Sequence, residues 1–209
     1  PQEIAKGAVT ADAMSGVTTL GSTAETGSVE NGEAIAPKDA EAILGAGIQD
    51  VTNTLVGDYE LNDVLRMVLE TIYRSLGFKH VLIMIRDNKQ NQMLARFGFG
   101  EHVDALIPRF RFSLVFEPDV FHLAVDKGLD IVIEDVRAEN IASKIPAWFH
   151  ATVDSQCFLL LPVMVNKKTI GLIYADMQTA NSLQVTQQQL ALLRTLRNQA
   201  ILAIKQKMG

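Results

Sequence analysis

Cysteine is almost missing from this 209-residue chain, where Cys157 stands alone. One thiol cannot close an internal disulfide, which excludes a disulfide-stapled scaffold and fits a reducing compartment. Long apolar runs are missing too. None approaches the ~18 residues that span a bilayer, and no leader pattern opens the chain, so a cytoplasmic location without membrane contact is expected. Positive charge is scarce: 19 Lys and Arg stand against 24 Asp and Glu, a balance that opposes nucleic-acid binding. The four histidines, His80, His102, His122 and His150, show no paired metal-ligand spacing. A zinc site, which needs four convergent ligands, is therefore not expected. Phosphate-loop, G-x-S-x-G and H-E-x-x-H patterns are all lacking, and Gly98-Phe99-Gly100 is too short to replace the first. Catalysis has no constellation to stand on, and enzyme activity is not expected.

What is present suffices for a core, since 48% of the residues are hydrophobic. The length suits one domain and a tail. Residues 1–37 carry five acids against Lys6 and no aromatic side chain, which leaves only one net negative charge for the remaining 172 residues. The stretch Thr18–Ser28 has little to bury, so residues 1–37 read as a flexible acidic linker or tail and 38–209 as the folded domain. Because the chain opens on Pro1 rather than Met, we expect a piece of a longer protein, with the linker tethering an upstream domain.

Apolar periodicity predicts helices over about 38–56 and from Leu61 to Leu76, the latter stopped by Gly77. The run His80–Arg86 suits a strand buried on both faces, and Gln92–Phe99 its hairpin partner across the turn Asp87–Asn91. Arg109–Val115 alternates basic or polar residues with Phe110, Phe112 and Leu114. Pro118–Lys127 reads as a short helix and Ile131–Ile133 as a brief strand. A second hairpin joins Cys157–Val165 to Thr169–Met177, with Pro162 demanding a bulge or an edge. Thr186 with Gln189 has capping-box spacing and opens a long terminal helix. The order predicts an α+β fold, an antiparallel sheet with flanking N- and C-terminal helices.

Two segments make this order specific. Glu60–Leu65 leading through Leu76-Gly77-Phe78 into the strand 80–86 resembles the start of a GAF domain, and Leu160–Tyr174 resembles that family's closing hairpin. The resemblance spans about residues 40–206 and is weaker in the middle. It implies a PAS-related fold, with helices on one side of the sheet and a ligand-sized cavity under variable loops on the other. It also implies small-molecule sensing or dimerisation within signalling proteins. An acidic linker before a GAF domain is similar to bacterial proteins with an upstream HDOD domain. Within the family, free methionine sulfoxide reductases use several cysteines, and bilin attachment often uses Cys followed by His. Cys157-Phe158 matches neither, and the Asn-Lys-Phe-Asp-Glu signature of cyclic-nucleotide binders is lacking. A haem-binding member needs one axial His, for which His122 and His150 lack a supporting motif.

By this resemblance the stretch 109–156 walls the cavity. The candidate ligand residues are Arg111, Phe112, Phe121, His122, Trp148, Phe149 and His150, with Phe116 nearby and the cofactor unknown. Arg111 could hold an anionic group by a bidentate contact, or alternate outward while the Phe residues face the core. The aromatics themselves either line a cavity or fill it. The rival expectation is a ligand-free homodimer joined through Leu192, Leu196 and Leu202 of the terminal helix, unless those leucines pack within the chain.

Overall fold

The computed structural model describes residues 17–19 and 39–208. Its centre is one antiparallel sheet of strands β1 (Val17–Thr19), β2 (His80–Asp87), β3 (Gln92–Gly100), β4 (Arg111–Ser113), β5 (Ile131–Ile133), β6 (Cys157–Val165) and β7 (Lys168–Met177). The spatial order is β1-β5-β6-β7-β2-β3-β4. Helices α1 (Ala40–Val56), α2 (Leu61–Leu76) and α6 (Gln187–Met208) cover one face. The other face lies under short pieces: α3 (Val103–Leu106), α4 (Val120–Lys127), a 3-10 turn at Ala142–Lys144 and α5 (Ala147–Thr152).

The central strands read as continuous apolar runs because both faces are covered, and strand alternation divides them cleanly. On β6, Cys157, Leu159, Leu161 and Val163 point to the helices, while Phe158 and Leu160 point to the opposite side. On β7, Ile173 and Ala175 face the helices, and Leu172 and Tyr174 face away. Two separate cores result, one on each face.

Several local expectations hold. Gly77 ends α2 in the left-handed conformation (φ 69°), which glycine adopts without the cost of a Cβ. The Thr186–Gln189 box closes reciprocally. The Gln189 N–H donates to Thr186 Oγ1 at 3.1 Å, and the Thr186 N–H donates to Gln189 Oε1 at 3.0 Å. Pro162 sits past the end of β5, whose pairing with β6 stops at Leu160, and a register shift follows at Val163/Met164. Its missing N–H therefore interrupts no ladder on that side.

Other expectations change. The first helix starts at Ala40, and only Arg111–Ser113 of the stretch 109–115 joins the sheet. Part of the segment read as linker is a strand: Val17–Thr19 pairs antiparallel with Ile131–Ile133 and caps that edge of the sheet. The rest of 1–37 lies outside the described residues. No described helix is long and apolar enough to cross a membrane.

Candidate functional site

The face under the short elements is built from rings. Phe110 enters from just before β4, Phe112 from β4, Phe121 from α4, Phe149 from α5, Phe158 from β6 and Tyr174 from β7, and all six are buried. Phe110 and Tyr174 lie 4.5 Å apart, Phe121 and Phe149 5.6 Å, and Phe149 and Phe158 4.9 Å between ring centroids. Trp148 is half-buried over this layer. It stacks on Phe112 (5.4 Å, 13° between planes) and meets Phe110 edge-on. Its Nε1–H is buried and has no hydrogen-bond partner. The rings therefore pack against each other where the family resemblance implies a cavity, with one indole donor left over.

Of the predicted ligand residues, Phe112, Phe121, Trp148 and Phe149 come together in this layer, and His122 adjoins it 5.5 Å from Phe112. Arg111 does not. The alternation of β4 turns Phe112 inward and leaves Arg111 exposed, so the strand follows the outward-Arg pattern. His150 is exposed at the rim, edge-on to Phe149, and Phe116 is 64% exposed. The terminal-helix leucines also separate. Leu196 is wholly buried in the helix-side core and so is closed to a partner, a correction that follows from its position on the sheet-facing stripe. Leu192 is half-buried and Leu202 is 47% exposed.

A polar cluster that spacing did not reveal sits beside the ring layer. The fully buried Asp176 carboxylate, on β7, accepts from the His80 backbone N–H (2.9 Å), from Ser155 Oγ (2.5 Å) and from the Tyr174 hydroxyl (2.6 Å). His80 Nδ1 lies 3.0 Å from Asp176 Oδ1, and its Nε2 lies 3.0 Å from the Glu101 carbonyl. Burial pulls the His80 pKa down, but the hydrogen bond and charge of Asp176 outweigh it, so the imidazole is held above its ordinary value. Burial and the same carboxylate push the Tyr174 phenol well up, leaving it a neutral donor. This is not a nucleophile triad. Ser155 bonds the carboxylate rather than a histidine base, and its hydroxyl is buried. Period-two alternation was the available signal, since Tyr174 and Asp176 share a strand face in an otherwise apolar run.

His122 forms a second pair. Asp119 caps α4, its Oδ1 accepting from the His122 N–H (2.8 Å) while Oδ2 lies 2.8 Å from Nδ1. The Ser113 carbonyl is 2.9 Å from Nε2. Burial again lowers and Asp119 raises, and the net pKa shift is upward. With both ring nitrogens engaged, His122 has no lone pair directed at a haem iron.

Cys157 is buried on the helix face, 3.1 Å from the Thr179 carbonyl, and burial raises its thiol pKa. A raised pKa disfavours the reactive thiolate. Among the described residues, no three His, Cys, Asp or Glu side chains converge as a metal site would require.

Comparison with known proteins agrees with this architecture. The GAF domain of an Acinetobacter phosphoenolpyruvate-protein phosphotransferase is similar at a TM-score of 0.62 and 16% identity, over 81% of this chain and 95% of that one. The corresponding domain from Coxiella burnetii is similar at 0.63 and 14%, over 79% and 95%. A free methionine-R-sulfoxide reductase from Neisseria meningitidis is similar at 0.59 and 15%, over 84% and 98%. No curated protein matches the sequence. The model of the GAF domain matches residues 58–205, most of the chain, and the chain therefore belongs to the GAF domain family, a regulatory and sensory module of signalling proteins.

Proposed function

We propose that this domain is non-catalytic and senses a small, mostly apolar molecule at the ring layer beside the central sheet. The observation that carries the reading is the buried, unpartnered Trp148 Nε1–H, set among rings and covered by short segments rather than long helices. An unpaired buried donor costs about 1–3 kcal/mol. A ligand bringing one acceptor and a flat apolar body would satisfy the donor and exploit the rings around it. Entry requires Trp148 and α5 to move off Phe112, which links occupancy to the loops that a regulatory domain can relay. The upstream domain expected before the acidic segment is the natural recipient of that signal. The buried, raised-pKa Cys157 favours sensing over thiol chemistry, although one similar structure is a reductase.

Native mass spectrometry of freshly purified protein tests this directly. A retained small mass that is lost in Phe121→Ala or Trp148→Ala, with the fold intact, is the expected result. A mass retained equally in both variants would remove the ring layer as its site. A second reading, a dimerisation module, draws on the exposure of Leu202 and the partial exposure of Leu192 on α6. Sedimentation of the Leu192→Glu/Leu202→Glu double variant decides it, since an unchanged mass removes that face.

A further inference from the structure

Beside the ring layer, and sharing His122 with its edge, the far end of the β6–β7 hairpin forms a basic cleft of about 270 Å³. Arg86 closes it from the end of β2, Lys167 from the hairpin turn, Lys168 from the start of β7, and Phe116 from the segment before α4. Neither Phe121, Trp148 nor Phe149 lines it.

Three features point to an anionic occupant. Among the described residues, none of Arg86, Lys167 and Lys168 forms an ion pair, so three cations line one concavity against a single carboxylate, Asp126. The acid in the lining, Asp126, is held by Lys127 at 2.8 Å, Asp119 is held by His122, and the exposed Glu117 is outside the lining. Second, the guanidinium of Arg86 is underused. Its Nε–H is buried with no partner, and Nη1 reaches only the Thr169 carbonyl at a long 3.5 Å. A guanidinium edge with unused donors matches the paired oxygens of an oxyanion. Third, Phe116 is 64% exposed at the rim and rests edge-on against His122 (6.0 Å), offering a ring that the protein itself does not cover.

From these we propose that the cleft binds a small phosphate-bearing organic molecule, with the phosphate bridging Arg86 and the hairpin lysines and a planar apolar portion lying on Phe116. The site goes beyond ring-layer sensing and does not depend on it. Four chain segments enclose the cleft, and its volume suits a compact ligand rather than an extended surface.

The test is calorimetric titration of the full chain at low salt with phenyl phosphate and with inorganic phosphate. Phenyl phosphate is expected to bind more tightly than inorganic phosphate. Arg86→Gln should weaken both by roughly tenfold or more, as loss of a charge-assisted contact does. Lys167→Ala/Lys168→Ala changes only exposed side chains at the turn, and should weaken both even if Arg86→Gln misfolds. Phe116→Ala should abolish the preference for phenyl phosphate. Absence of binding or unchanged binding in the lysine variant would overturn the proposal, and an undiminished preference in Phe116→Ala would overturn the place given to its ring.

Discussion

The two faces of the sheet solve the same burial problem with different materials. On the helix side, long periodic helices lay Val64, Val68, Leu69, Leu193 and Ala200 against Ile83, Leu161 and Ile173, an almost purely aliphatic contact. On the other side, pieces of three to eight residues hold a layer of rings, and the two buried imidazole–carboxylate pairs lie there as well. Aliphatic packing needs shape alone, whereas the ring side must also satisfy every polar group it buries. The difference teaches where change is tolerated. The helix side fixes the fold, and the side with short elements, charges and an unpaired indole donor has the parts with which to respond.

The largest expected effect breaks the ring side at its polar centre. Asp176→Ala leaves the Ser155 and Tyr174 hydroxyls and His80 without their common acceptor, and should cost about 3–5 kcal/mol in urea unfolding, as loss of one member of a buried charge pair does. Leu193→Ala on the opposite side should cost a comparable or smaller ~2–5 kcal/mol, by cavity formation alone. The distinction lies in pH. His80 and His122 titrate above their ordinary value near 6.5 when folded, so the stability they lend is complete below about pH 6.5 and fades as pH rises through the raised values. His80→Gln should flatten that decline and Leu193→Ala should leave it unchanged, as measured by unfolding at a series of pH values. The smallest effect, about 1 kcal/mol, is expected for Thr186→Ala, which removes the α6 cap without touching either pH response.

The helix side was almost wholly legible because its information is local. The stripes of α2 and α6, the stop at Gly77 and the Thr186–Gln189 box are each contained within a turn or two of chain. Even there, the width of the α6 stripe did not show that Leu196 meets its own sheet while Leu202 faces outward. On the ring side the aromatic residues were visible but not their arrangement. Helices of four to six residues, such as α3 and α5, are too short for periodicity to register. The partner of His80 lies 96 positions away at Asp176, a pairing fixed only once β2 and β7 are neighbours. Arg86 has the same character, since its unused donors become apparent only when the β6–β7 hairpin folds beside it.

Trp148 has one more consequence. It is the single tryptophan of the chain, stacked on Phe112 and edge-on to Phe110, and the helix side has no indole at all. Selective excitation of that indole therefore reports on one face of the sheet and is blind to the other. The molecule carries its own optical probe at the place where its two halves differ, so an emission shift that precedes the loss of helical circular dichroism marks loosening of the ring layer ahead of melting of the whole.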